Sequence, residues 1–379
     1  MTVRVEDLLG LSPNRVPPKR RSMRFSCLFF SDTREDVSDA QKYAFMGEIT
    51  RFADKAGFEG IYIPERHFQE FGSIFANPAI VAAHLIPQTE RIRFRTAGVT
   101  LPLHHPAEVV EWWAMNDVLS GGRVDLGFGS GWSKDAFVFQ PDTFDDRRQI
   151  CSERIRQVQK LWQGETLSFP GPDGIECPVT VFPRPVQKSL NVWLLITQNE
   201  EAFRHAGREG YNVFTMLYNS NLETLSRKID IYRQARAEAG YDPNTGTITL
   251  TLHTLVLDNR QKVLDAIEKP FKTYIASALN AHVNAGAVAG ADETTSEAER
   301  QKMLEFAYER YVQTSALFGT PDDARKMVDR ALDAGVDEIA CIPDFGVPYD
   351  IVHASLPYLK DLVDDYSEAG IASMSDKAK

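Results

Sequence analysis

The order of elements in the sequence predicts an α/β chain closed into a parallel barrel, a (β/α)8 TIM barrel. Three observations lead there. Eight short runs rich in apolar or β-branched residues recur along the chain, and segments of helical character separate them. Parallel strands need crossover helices, and eight such units close a sheet on itself. With 379 residues, 43% of them hydrophobic, the chain can bury a large core, enough for a single α/β barrel with insertions or for two ordinary domains.

The strand runs are 25–31 (FSCLFFS), 60–64 (GIYIP), 92–101 (IRFRTAGVTL), 124–129 (VDLGFG), 192–197 (VWLLIT), 211–217 (YNVFTML), 247–257 (TITLTLHTLVL) and 338–345 (EIACIPDF). Helices are expected at 41–57, 78–88, 106–119, 145–163, 200–209, 222–240, 260–283 and 321–334, with a last one at 350–366. Punctuation agrees with these limits: Gly57 follows the first helix, Gly240 ends the sixth, and Thr320-Pro321-Asp322-Asp323 opens the eighth with a cap, a proline and two early acids. Two stretches break the repeat. Residues 164–190, rich in Gly and Pro, read as a hairpin or irregular loop inserted after strand four and its helix. Residues 284–318, between strands seven and eight, read either as a lid over the barrel mouth or as a passive surface excursion. Residues 1–22, with three prolines and a KRR cluster, form an expected N-terminal arm; 23–370 form the barrel domain and 371–379 a C-terminal tail.

Charge and cysteine content exclude several function classes. With 42 basic against 53 acidic residues, the net charge of −11 argues against nucleic acid or an anionic membrane as partner. No apolar run reaches the roughly 18 residues that span a bilayer, and the N-terminus lacks a signal-peptide core. Cys27, Cys151, Cys177 and Cys341 have neither disulfide-framework nor zinc-site spacing. The expectation is a soluble, cytoplasmic protein with reduced thiols.

A barrel of this kind carries its chemistry where the strands end, at the C-terminal face. Strand two ends in Pro64-Glu65-Arg66-His67-Phe68, and a histidine there exchanges protons near neutrality. Its alternative role is structural, satisfied by a carboxylate such as Glu65. Strand three ends in Thr96-Ala97-Gly98, small residues that let a flat ligand lean on the backbone or simply pack tightly. His104 and His105 invite a metal reading, but adjacent residues rarely aim both rings at one ion, and no metal site is expected. Strand four ends in Gly127-Phe128-Gly129-Ser130-Gly131-Trp132, which is G-x-G-x-G and not a dinucleotide fingerprint; its backbone N–H groups can bind an anion and Trp132 can form a wall. A second anion site is suggested at Thr197-Gln198-Asn199-Glu200-Glu201, where strand five enters its helix.

Taken together, PERHFQEFG, ANPAIVAAHL, TAGVTLPLHHP, LSGGRVDLGFGSGW, RRQICSERIRQVQKLWQGE, FPRPVQ and NVWLLITQNEEAFRHAGREGYNVFTML resemble the bacterial luciferase-like flavin monooxygenases, and within them the branch associated with polyketide and peptide synthetases. The resemblance covers about 25–260 strongly. It implies a luciferase-like barrel, reduced FMN (FMNH2) as a loosely held co-substrate from a separate NAD(P)H:flavin reductase, O2 as the second co-substrate, and a homodimer. It implies that Thr96, Ala97 and Gly98 back the isoalloxazine ring, with a non-proline cis peptide as in some relatives. Ser130, Gly131 and Trp132 would follow the ribityl and phosphate arm, and Gln198 and Asn199 would meet the phosphate. Luciferases carry arginine where this chain has Ser130, so the phosphate charge must be met by backbone amides or by a residue such as Arg204. They show two histidines where this chain has Arg66-His67, so light emission is not implied.

The implied chemistry is oxygen insertion through a C4a-peroxide of the flavin, with His67 as proton donor or substrate orienter and Arg66 as stabiliser of an anion. Phe29, Phe30, Phe68, Phe71, Phe75, Trp112, Trp113 and Trp132 are candidate apolar walls. The substrate is a small molecule, free or tethered to a carrier protein. The alternatives are a deazaflavin-dependent hydride transfer on the same fold, a flavin-binding protein without turnover, and a metal-dependent hydrolase.

Overall fold

The computed structural model describes residues 22–30, 34, 36–70, 72–218, 220–284 and 297–371. The expected arm and tail fall outside it except for Ser22 and Ile371, as does Phe71.

Eight strands form the barrel: β1 (Arg24–Leu28), β2 (Gly60–Ile63), β3 (Arg93–Thr96), β5 (Val124–Gly129), β8 (Val192–Leu195), β9 (Asn212–Met216), β10 (Ile248–Val256) and β12 (Glu338–Ile342). They pair in parallel in that order, and β12 returns to β1 with Arg24 opposite Glu338 and Cys27 opposite Cys341. All eight expected strands are present, because each is a β-branched or aromatic run long enough to pair on both sides. A two-residue strand β4 (Val99–Thr100) prolongs the sheet beside the end of β5. The first insertion is an antiparallel hairpin of β6 (Leu167–Pro170) and β7 (Glu176–Val179).

The crossover helices are α1 (Asp39–Ala56), α2 (Pro78–Leu85), α3 (Pro106–Ser120), α4 (Arg147–Gln163), α5 (Glu200–Arg208), α6 (Leu222–Glu238), α7 (Arg260–Asn284) and α9 (Pro321–Asp333), and α10 (Tyr349–Tyr366) follows β12. Their ends obey local rules. Ser38 and Gln41 make a capping box before α1, whose C-cap Gly57 has φ +88°, and Thr320 and Asp323 make another before α9. The second insertion adds helix α8 (Glu297–Thr314) and strand β11 (Ala316–Gly319). The long strand β10 makes room for it by pairing β12 through its first half and β11 through its second, His253 lying opposite both Ile342 and Ala316.

Two layers of core position the site. Outside the barrel, one continuous apolar cluster joins strands to helices. Inside lie Leu28, Tyr62, Trp193, Phe214, Ala340 and Ile342. Below them a buried ion network closes the barrel floor: Arg95 donates to Asp125 at 3.0 Å and to Glu338 at 2.7 Å, with the Tyr62 hydroxyl alongside. These charges are tolerated because each finds an opposite one.

Strand side chains alternate faces, so the inward set can be followed upward from this network to the mouth. It ends in Phe30 on the β1 side, Ala97 after β3, Gly129 on β5, Leu195 on β8, Met216 on β9, His253 on β10 and Asp344 after β12. One side of the mouth is therefore built of small residues, and the other of aromatic and polar ones. Among the described residues no helix is long and apolar enough to cross a membrane, and all four cysteines are free.

Candidate active site

Glu65, just past β2, organises one wall of the mouth. Its Oε1 accepts hydrogen bonds from His67 Nε2 at 2.8 Å and His104 Nε2 at 2.7 Å, while Oε2 accepts from the Thr100 backbone N–H at 3.1 Å. Side-chain exposure is 2% for the glutamate against 10% and 15% for the histidines, so these bonds are largely shielded from water. Burial alone would raise the Glu65 pKa, but the hydrogen bonds from His104 and His67 outweigh it and hold the carboxyl below its ordinary range. Burial also disfavours charge on His104; the Glu65 hydrogen bond and charge overcome it and raise that pKa. Glu65, His67 and His104 bring three metal-type donor atoms within 4.8 Å of one another. As arranged, both imidazole N–H groups are committed to the carboxylate oxygen, and the negative charge is met by hydrogen bonds.

The next residue, Arg66, turns to the other side. Its guanidinium sits 4.4 Å above the Phe30 ring and 6.0 Å from the Trp132 ring. Burial pulls its pKa down to about 10 against the attraction of Tyr274 and Asp344, so it stays cationic at neutral pH. Gly72, at φ +78°, clears its stem: a Cβ there would stand 2.1 Å from Arg66 Cδ. Phe68 adopts φ +59°, a backbone conformation unusual for an aromatic residue, and His67 packs edge-on against Phe139 at 5.0 Å. A cavity of about 20 Å³, lined in part by Glu65, Arg66, His67 and Trp132, lies between these groups and has room for about one water.

The small side of the mouth is tied down by Thr96. Its hydroxyl donates to Gly127 O and accepts from Gly127 N–H, both at 2.7 Å, locking β3 to β5. A Cβ at Gly127 would meet Thr96 O at 2.3 Å, so that glycine serves close strand packing. Gly129, two residues on, is different: a Cβ there would meet nothing within 4 Å, which marks open space above it. Gly98 has φ +113° and lies under Leu195, and Gly131, at φ +85°, lies against Phe137 and Thr100. Thr96, Ala97, Gly98, Ser130, Gly131 and Trp132 thus converge on one side of the mouth. The non-proline cis peptide that the resemblance implied within Thr96, Ala97 and Gly98 is absent: among the described residues the one cis bond is Phe182-Pro183.

Gln198 and Asn199 stand at the end of β8, beside β5. The Asn199 side chain caps α5 by accepting from Glu201 N–H at 2.9 Å and Ala202 N–H at 3.3 Å, which occupies amides expected to face an anion. Gln198 Nε2 donates to Tyr218 O. Arg204 does not serve as a free cation here, because it pairs with Glu201 at 3.2 Å. The positive charge at this strand end comes instead from Lys228 on α6, which is 3% exposed and donates to Thr197 O at 3.0 Å and Gln198 Oε1 at 3.4 Å. Burial lowers its pKa against the opposing charge of Glu200.

Several expected wall residues lie elsewhere. Phe29, Phe75 and Trp113 are buried in the outer core, because they fall on outward strand positions or helix faces. Trp112 packs edge-on against His104 at 5.5 Å, and Phe68 is 61% exposed. Phe30 and Trp132 do reach the mouth through Arg66. His105 holds its loop, accepting from Ala107 N–H at 3.2 Å as the cap of α3. Sequence reasoning missed the link from Glu65 to His104, Lys228, and His253. The last carried a signal, a single histidine within the apolar strand run TITLTLHTLVL.

Comparison with known proteins adds independent information. Residues 23–338 match the model of a family described as luciferase-like monooxygenase. The oxygenase component of the flavin-dependent trigonelline monooxygenase of Acinetobacter baylyi is 27% identical over 250 residues, covering 63% of this chain and 66% of that protein. The chain spans about two thirds of the length of the first curated relatives it matches. Among solved structures, the monooxygenase RslO1 of Streptomyces bottropensis superposes with a TM-score of 0.74 at 24% identity, covering 91% of this chain and 100% of that one. The oxygenating constituent of 3,6-diketocamphane monooxygenase of Pseudomonas putida, in complex with FMN, gives 0.72 at 18% identity over 91% of this chain and 98% of that one. At these identities the likeness establishes the fold.

Proposed function

The chain belongs to the luciferase-like monooxygenase family, and from that premise we propose that it is the oxygenase component of a two-component flavin monooxygenase. Reduced FMN would come from a separate NAD(P)H:flavin reductase, with O2 as co-substrate and one oxygen atom inserted into a small-molecule intermediate of natural-product biosynthesis, free or carrier-tethered. The proposed setting is a homodimer in the cytoplasm, with no metal required. The observation that carries the reading is the asymmetry of the mouth: open space above Gly129 on the small side faces shielded proton-exchanging and cationic groups on the other.

The residues present fit a flavin. Thr96, Ala97, Gly98 and Gly129 offer a flat backing; Ser130, Gly131 and Trp132 continue along the sugar-alcohol arm. Gln198, Asn199 and Lys228 stand at the strand end suited to the phosphate, with Lys228 supplying the positive charge that luciferases place at the Ser130 position. When bound, reduced flavin supplies two electrons to O2, so that one oxygen atom enters the substrate and the other leaves as water. The protein's own contributions are local. His67, held by Glu65, gives or takes a proton at its ring nitrogen. Arg66, desolvated but charged, favours an anion beside it. Phe30 and Trp132 keep water from the reacting atoms.

Anaerobic binding titrations test the assignment. Reduced FMN is expected to bind more tightly than oxidised FMN and than a reduced deazaflavin. Preference for the deazaflavin would replace oxygen insertion by hydride transfer, and tight, undiscriminating retention of oxidised FMN would point to a flavin-binding protein without turnover.

A further inference from the structure

The aromatic side of the mouth holds a polar group that the proposed chemistry leaves unused. His253 lies near the upper end of β10, and its inward direction follows from its alternation with Thr249, whose hydroxyl meets Tyr62 and Trp193 inside the barrel. It is 8% exposed, and its Nε2 is fully buried without a hydrogen-bond partner among the described residues. The ring is boxed by other rings: Tyr274 at 4.6 Å, Phe271 at 4.8 Å, Phe345 at 5.6 Å and Tyr311 at 6.0 Å. Tyr274 in turn meets Phe30 at 6.2 Å, and Phe30 carries the Arg66 guanidinium. An aromatic wall thus runs from Phe30 through Tyr274 to His253, opposite the small residues of β3 and β5.

Buried polar atoms in native proteins normally have partners, and an exception asks for an explanation. A purely structural role would be served as well by a leucine or phenylalanine among these rings. With no carboxylate against it, burial pushes the His253 pKa down to about 3, so the imidazole is neutral at working pH and offers a hydrogen bond without charge. The nearby Arg66 cation disfavours a positively charged ligand.

Building on the monooxygenase reading of this site, we propose that His253 is a substrate-recognition residue, and that the substrate is a planar aromatic molecule whose neutral oxygen, a phenolic hydroxyl or ring carbonyl, hydrogen-bonds His253 Nε2. The partly exposed Phe30 ring, backed by Tyr274, supplies the stacking surface, and the single polar contact fixes which edge of the molecule turns toward the small side. This is a claim about substrate class and orientation, and it holds for a free molecule or one presented on a carrier.

The test uses the full chain without flavin and measures binding of 2-naphthol, naphthalene and decahydro-2-naphthol by calorimetry. Wild type is expected to bind 2-naphthol about tenfold more tightly than naphthalene, the scale of one hydrogen bond made in a dry site, and to bind the non-planar decahydro compound more weakly still. His253→Phe should erase the preference for the naphthol while keeping naphthalene binding, and His253→Gln should restore part of it. Circular dichroism and thermal unfolding of both variants verify that the barrel is intact. Equal binding of naphthol and naphthalene by wild type, or a preference that survives in His253→Phe, would overturn the proposal. Because no flavin is present, these outcomes are separate from the monooxygenase reading. A protein that discriminates the naphthol yet fails to alter flavin oxidation supports the aromatic site and removes the reaction assigned to it.

Discussion

Replacing Glu65 by glutamine tests the organisation of the mouth most sharply, since shape is preserved and charge removed. In the wild type, one buried carboxylate receives hydrogen bonds from His67 and His104 and a backbone N–H. Hydrogen bonds to an ionised group contribute about 1.5–3 kcal/mol each and neutral ones about 0.5–1.5 kcal/mol, so the two imidazole bonds together lose about 2–3 kcal/mol. The loss depends on pH, and its sign follows from the shifts. The lowered Glu65 pKa contributes stability that is present above the unfolded value near 4.3 and disappears as pH falls through the folded one. The raised His104 pKa contributes stability that is full below about 6.5 and disappears as pH rises through the folded value. Both contributions are complete only between those limits. Glu65→Gln is therefore expected to lower Tm by several degrees at pH 5.5 and by clearly less at pH 9, measured calorimetrically at one scan rate. An equal deficit at both pH values would refute the coupling of Glu65 to a protonated His104.

Three further predictions follow from neighbouring positions. Gly129→Ala should leave Tm within about a degree, since its Cβ has open space, yet weaken reduced FMN binding about tenfold; Gly127→Ala, with its Cβ 2.3 Å from Thr96 O, should instead destabilise the fold by about 1–3 kcal/mol. Unchanged FMN affinity in Gly129→Ala would move the flavin elsewhere. Lys228→Met should reduce the preference for FMN over riboflavin about tenfold in paired titrations, because the phosphate loses a charge-assisted partner. Prolonged dialysis against EDTA should leave the rate of flavin reoxidation unaltered, since the Glu65, His67 and His104 donors satisfy one another; a rate restored only by added zinc would reassign the trio as a metal site.

The barrel was legible in the sequence because its strands are short apolar runs and its helices carry their own caps. Gly57 and Thr320 with Asp323 are local signals, and local signals survive in a linear reading, whereas the Ser38 cap, three residues before the expected start of α1 at 41, was not read. The small residues at 96–98 and the glycines at 127–131 were legible for the same reason. What could not be read was anything set by distance in space. Glu65 and His104 are separated by 39 positions yet share a hydrogen bond, and Lys228 approaches Gln198 from a helix on another repeat. Arg204 looked available because its partner Glu201, three residues away, could equally have faced solvent alone. His253 was hidden by its surroundings: in a strand run as apolar as TITLTLHTLVL, only the face it takes distinguishes a packed histidine from one at the mouth.

The central claim is that the mouth holds reduced flavin and controls its reaction with oxygen. The most direct measurement is stopped-flow absorbance of the protein with reduced FMN, mixed anaerobically and then with oxygenated buffer, while hydrogen peroxide is quantified. Oxidised flavin is expected to return in a delayed, multiphase process slower than for free flavin, and Gly129→Ala to shorten the delay. A single-phase return at the free-flavin rate, with stoichiometric hydrogen peroxide, would contradict it.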